Sequence, residues 1–155
     1  MQVANHLTAA RRLTTILAAA AIWAAAPAVA QQQPRTLYQR LGGYDALAAV
    51  TDDFIGRLIG DAELGRFFAG HSTNSKQRIR QLIVDQLCFA TGGPCVYIGR
   101  DMKTSHAGLG ITEQEWQKSV DHLVATLNKF RVPAAEQREV LNAITEMKAD
   151  IVEKM

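Results

Sequence analysis

The chain has 155 residues, a length that suits one folded domain after any leader is set aside. Of its 17 basic residues two are Arg11 and Arg12, and without them 15 basic face 15 acidic residues, so the formal charge of +2 belongs to the first thirty positions alone. The rest is neutral and has no basic run to displace counterions from a phosphate backbone, which excludes nucleic acid as the expected partner.

Residues 1–30 read as a secretory signal peptide: Arg11 and Arg12, an apolar run from Ile16 to Ala26, Pro27, and the small triplet Ala28, Val29, Ala30 before a cut ahead of Gln31. The apolar run is about half of what a spanning helix needs, so no stable membrane anchor is expected. The mature chain would be secreted or periplasmic. Residues 31–35, "QQQPR", form a polar tail without apolar periodicity, expected to be disordered, and 36–155 form the domain.

Within the domain "TLYQRLGG" predicts a short helix from Thr36 stopped by Gly42 and Gly43. From Asp45 the residues Leu47, Val50, Phe54 and Leu58 recur at three and four, an amphipathic helix ended by Gly60. "DAELGRFF" makes a helical turn delivering Phe67 and Phe68. After the polar connection "AGHSTNS", Asn74 or Ser75 can cap a helix with Ile79, Leu82, Ile83, Leu87 and Ala90 along its apolar face.

"TGGPCVYIGRD" then carries too much glycine and proline for a long regular helix. Thr112 and Glu115 form a capping box opening a helix with the stripe Trp116, Val120, Leu123, Leu127 and Phe130. Pro133 suits the first turn of a last helix whose inward residues are Val140, Leu141, Ile144, Met147 and Ile151. No strand-like alternation of useful length and no repeat is present, so the fold class is all-α.

Cys88 and Cys95 stand on either side of Gly92 and Gly93. A continuous helix would hold them roughly 10 Å apart, beyond bonding reach, whereas a break at the glycines lets the chain fold back. In an exported protein a disulfide would persist; the other reading is a small buried cysteine and an unrelated loop thiol. Only His71, His106 and His122 follow the leader, and their spacing with the cysteines fits no familiar zinc pair. There is no nucleophile elbow, hydrolase triad order or phosphate loop.

Five fragments in order, "LYQRLGG", "DFIGRLIGDAELGRFF", "ATGGP", "YIGRDMKTSH" and "GITEQEW", resemble the truncated globins, specifically their first group, over Thr36 to about Ile151. The resemblance implies a two-over-two helical sandwich around one b-type haem, with His106 as the proximal iron ligand. Met102 would pack against the porphyrin beside it and Phe68 against the distal face. Phe54, Ile79, Ile83 and Leu87 would lie above the ring, and Ile111, Trp116, Val120 and Leu123 below it or at its edge. Arg78, Arg80, Arg100 and Lys103 are candidates for the propionates, though each reads equally as a solvated charge.

The chain departs from its relatives at the distal side. Many first-group members carry a tyrosine after the phenylalanine of the second helix and glutamines on the haem-facing side of the distal helix. Here Ile55 follows Phe54, and counting back from Gly92 and Gly93 puts Ile79 and Ile83 at the distal positions. A buried donor to dioxygen of partial superoxide character is worth about 1.5 to 3 kcal/mol, so its loss predicts roughly ten- to a hundredfold weaker retention of dioxygen, with carbon monoxide and nitric oxide less affected.

Counting forward from Lys76 would instead offer Gln77 and Gln81, but these lie about 200° from Ile79 around the helix. Gln86 is the fallback donor, His71 reads as a solvent-facing loop residue that could swing in as a sixth ligand, and His122 lies off the buried stripe. The expected function is reversible binding of dioxygen or another diatomic gas. The alternatives are nitric oxide dioxygenation, which would need an outside reductase since no flavin or nicotinamide motif is present, and a haem-free helical interaction domain.

Overall fold

Helix follows helix through residues 34–154, the part of the chain that the computed structural model describes; the expected leader and most of the polar tail lie outside those residues. The helices are α1 (Leu37–Arg40), α2 (Gly43–Gly60), α3 (Thr73–Ala90), α4 (Met102–His106), α5 (Glu113–Lys129), α6 (Ala134–Glu146) and α7 (Lys148–Ile151), with a 3-10 turn at Leu64–Phe68. Among the described residues there is no strand, only one isolated bridge between Thr112 and Lys154.

The chain starts where short-range chemistry favours it. Thr36 and Gln39 form a capping box at α1, and Gly42, at φ +98°, turns the chain straight into α2 two residues earlier than Asp45. Asp61 then accepts from the backbone N–H groups of Glu63 and Leu64 at 2.9 and 3.1 Å, which seeds the 3-10 turn. A side chain at Gly65 would meet the Ile59 carbonyl oxygen at 2.7 Å, so only glycine lets this turn pack on the end of α2.

The core joins α2, α5 and α6: Val50, Leu123, Leu127 and Val140 are buried together, with Leu37, Leu41, Phe54, Val132, Leu141 and Ile144 packed around them. Each fully buried aliphatic side chain contributes about 1.5–3 kcal/mol. A polar brace crosses the same interface. Asp53 on α2 accepts from Thr126 Oγ1 at 2.9 Å, from Arg57 Nε at 2.7 Å and from Lys129 Nζ. Lys129 first and Arg57 second hold its carboxyl well below the usual range.

Helix α3 turns a different edge inward than its apolar stripe implies. Val84 and Cys88 are fully buried because α3 packs on α2, while Ile79, Ile83 and Leu87 are only half-buried and Ala90 is exposed. Its cap is Ser72, which accepts from the Ser75 N–H at 3.2 Å, rather than Asn74 or Ser75. Its end is a Schellman motif: Gly92 at φ +79° donates to the Phe89 carbonyl and Gly93 to the Cys88 carbonyl. At Gly93 a side chain would lie 2.6 Å from both the Cys88 sulfur and the Tyr38 ring. This reversal brings the sulfurs of Cys88 and Cys95 to 2.01 Å, with Cα atoms 5.7 Å apart.

Three further expectations need correction. Phe130 is the C-cap of α5 and is 39% exposed, since the chain leaves the helix there and Arg131 enters the left-handed region at φ 55°. The last helix divides at Met147, where Thr145 Oγ1 bonds back to the Leu141 carbonyl at 2.7 Å and the Met147 N–H takes the Ile144 carbonyl in a tighter turn. Pro133 stands as the N-cap of α6, one residue before its first turn.

Candidate functional site

His106 ends a one-turn helix inside the glycine-rich segment. Asp101 makes that helix possible: its carboxylate accepts from the Thr104 backbone N–H at 2.7 Å and from Thr104 Oγ1 at 3.0 Å. The Thr104 N–H, and after it the hydroxyl, hold the Asp101 carboxyl below the ordinary range. Upstream, Tyr97 donates to the Arg100 carbonyl at 2.6 Å and lays its ring over Gly99, where a Cβ would be 2.2 Å from the phenolic oxygen. Burial raises the Tyr97 phenol above its usual value.

The histidine ring is half-buried, and its Nδ1 lies 2.8 Å from the Met102 carbonyl oxygen one turn earlier. A carbonyl can only accept, so Nδ1 carries the proton, and in the neutral ring the lone pair therefore stands on Nε2. Among the described residues Nε2 has no hydrogen-bond partner. A neutral imidazole with one nitrogen tied to a backbone carbonyl and the other open is the donor that haem iron takes from a protein. On that chemistry the residue fits a haem ligand.

Around it the other expected residues divide into groups. Ile111, directly after the loop that follows His106, and Trp116 in the first turn of α5 are buried; Val120, one turn on, is half-buried. Met102 and Phe68 are half-buried as well. Phe54 and Leu123 are shared with the main core. Leu87 and Leu123 both line a small apolar cavity of about 30 Å³, which Val50, Leu127 and Val140 also line.

On α3 the polar residues are committed elsewhere. Gln81 donates to Tyr44 Oη at 2.6 Å and to Asp85 Oδ1 at 2.9 Å, and Arg80 is paired with Asp52 at 2.7 and 2.9 Å. Arg80 is thereby occupied on the α2 side and drops from the propionate candidates. Gln77 is exposed, and Gln86 directs its amide at the Met147 sulfur, 3.4 Å away. His71 is exposed; His122 is bonded to Asp61 at 3.0 Å rather than lying free at the surface.

Two residues near His106 escaped the sequence reading. Asp101 had a local signal, the D-x-x-T spacing of an N-cap. Glu153 had none, because its carboxylate binds Gly108 and Gly110 more than forty residues away in the chain.

Known proteins resemble this arrangement in sequence and in shape. The sequence model of the bacterial-like globin family matches residues 36–153. A group 1 truncated hemoglobin of Mycolicibacterium paratuberculosis is 34% identical over 119 residues, covering 77% of this chain and 85% of that protein. One from Nostoc sp. is 33% identical over 119 residues, 77% of this chain and 98% of that protein. The Fe(III) form of the truncated hemoglobin of Tetrahymena pyriformis superimposes with a TM-score of 0.70 at 25% identity, over 76% of this chain and 98% of that one. The 2/2 hemoglobin of Synechococcus sp. PCC 7002, solved in the cyanomet state with covalently attached heme, superimposes with a TM-score of 0.69 at 25% identity, covering 76% and 98%. A match over this span, with the same two-over-two fold and an imidazole donor in place, makes the chain a member of the bacterial-like globin family, a haem-binding globin of the group 1 truncated hemoglobin type.

Proposed function

We propose that the chain binds one b-type haem through Nε2 of His106 and uses it to take up a diatomic gas reversibly, with dioxygen, nitric oxide and carbon monoxide as the ligand class. The observation that carries this is the His106 Nδ1 to Met102 carbonyl contact of 2.8 Å, which fixes the tautomer and leaves Nε2 as a lone-pair donor. A haem held by His106 would supply an iron centre able to coordinate a small gas.

The chain's own residues do the rest. Met102, Ile111, Trp116 and Val120 supply apolar surface on the histidine side, and Phe54, Phe68, Ile79, Ile83 and Leu87 on the other, which excludes water. Ile79 and Ile83 offer no donor, and Gln81 is held by Tyr44 and Asp85. Dioxygen is therefore retained weakly, and gases that need no hydrogen bond are disfavoured less. Arg78, Arg100 and Lys103 are the cations left for the propionates.

The protein acts after export to the periplasm or beyond, and Cys88 and Cys95 form a disulfide there. Any sustained redox cycle draws electrons from a separate reductase. The test is the absorption spectrum of purified, leader-processed protein in ferric, ferrous and carbon monoxide-bound forms. A Soret band that disappears in His106→Ala is expected; a protein that stays colourless with added haemin, or a band indifferent to that substitution, overturns the reading.

A further inference from the structure

We infer that Glu153 is a positioning residue for His106, setting the direction of its ring from the far end of the chain. The inference rests on the haem reading above. Helix α4 has no buried residue, and Ala107, Gly108 and Leu109, which follow the histidine, are exposed. No fully buried side chain therefore anchors this corner.

Hydrogen bonds do it instead. One carboxylate oxygen of Glu153 accepts from the Gly108 N–H at 2.7 Å and the other from the Gly110 N–H at 2.5 Å. Both glycines are left-handed, at φ +80° and +64°, which aims two nearby N–H groups at a single anion. Charge-assisted bonds of this kind are about twice as strong as neutral ones. The Glu153 carboxyl is held below its usual range by Gly108 first and Gly110 second.

The backbone extends the clamp. Glu153 and Lys154 donate to the Ile111 carbonyl at 2.9 and 3.1 Å, and the Glu113 N–H donates to the Lys154 carbonyl at 3.1 Å. Lys148 is paired with Glu113 at 2.6 Å, and α7 packs against α4. The segment from Gly108 to Glu113 is thus zipped to the C-terminal segment, and the Leu109 N–H, donating to the His106 carbonyl at 3.1 Å, passes the restraint to the histidine itself. Rotation of α4 about its cap at Asp101 would turn Nε2, and Glu153 opposes it at the other end.

The experiment compares full-length, haem-loaded wild type with Glu153→Ala, Glu153→Gln and, as a control in the same region, Glu146→Ala. It reads three quantities: the iron–histidine stretching band of the ferrous form, the rate of haem loss to excess apomyoglobin, and amide exchange across residues 107–111. Glu153→Ala is expected to shift or broaden the band, to speed haem loss by about ten- to a hundredfold as for other partners that orient a metal ligand, and to quicken exchange. Glu153→Gln, with one acceptor oxygen, restores part of each, and Glu146→Ala matches wild type. Faster exchange with an unchanged band and unchanged haem loss overturns the inference, because the clamp then holds only the loop. A wild-type chain that takes up no haem overturns the haem reading and this inference together, and is told apart because it fails before any variant is compared.

Discussion

The two walls that face the proposed haem are held by different physics. The distal wall, α2 and α3, is 18 residues of helix on 18, with Val84, Cys88, Thr51 and Ile55 buried between or beneath them and side-chain bridges at Arg80–Asp52 and Gln81–Tyr44. The proximal wall, α4, is five residues long and buries none of them completely. It is placed by polar and backbone devices: the Asp101 cap, the Met102 carbonyl on the histidine, and the Glu153 clamp. A wall fixed by packing belongs to the fold with or without a cofactor. One fixed by a few hydrogen bonds depends on what it grips, so its substitutions should register in haem binding before they register in stability.

That contrast predicts its largest effect in the shared core. Leu127→Ala removes a side chain that is 2% exposed and already borders a cavity, so unfolding of the protein in denaturant should be easier by about 2–5 kcal/mol, with or without haem. Loss of the Cys88–Cys95 link comes next. Paired serine substitutions free an eight-residue loop and should cost about 2.5 kcal/mol on the chain-entropy account. The loop ties the end of the distal helix to the start of the proximal segment, so this change should also speed haem loss, which Leu127→Ala should alter less for equal destabilisation. Equal effects would dissolve the distinction between the walls.

The same contrast explains what the sequence made readable. The distal helix, α5 and α6 follow from period, cap and breaker: the Thr112–Glu115 box forms with both of its halves, and the glycine pair ends α3 as expected. Periodicity placed the inward face of α3 one step off, because the helix has two partly apolar faces; the packed one is Val84 and Cys88, the half-covered one Ile79 and Ile83. It also passed over Thr126, fully buried through its bond to Asp53, since a hydroxyl counts as polar in any pattern. On the proximal side the glycines and proline outweighed the aspartate cap, and α4 was missed. The Glu153 contact spans 45 residues and leaves no local trace.

A change confined to the distal face should leave the fold alone and move only the gas. Ile83→Gln introduces an amide donor on the half-buried side of α3, away from the Gln81 bridge. If it reaches the ligand it should slow dioxygen release by roughly ten- to a hundredfold, the effect of about 1.5–3 kcal/mol, and change carbon monoxide release less. Stopped-flow release of the two gases measures this. An unchanged ratio would mean that Ile83 does not face the gas, and would shift attention to Gln86.

Smallest in stability, and most specific to the proximal wall, is Asp101→Ala. The Asp101 carboxyl titrates below its usual range because the Thr104 N–H binds its charged form. The cap is therefore complete above the ordinary aspartate value, about pH 4, and fades as the pH falls through the lower folded value. At neutral pH the substitution should quicken amide exchange at Thr104 and Ser105 and speed haem loss, while the denaturant midpoint moves little, since α4 has no fully buried side chain. Below the titration of Asp101 the wild type should converge on the variant in exchange at those two amides. Should Asp101→Ala instead lower the midpoint as far as Leu127→Ala does, α4 would be part of the cooperative core, and the proximal wall would owe its place to packing after all.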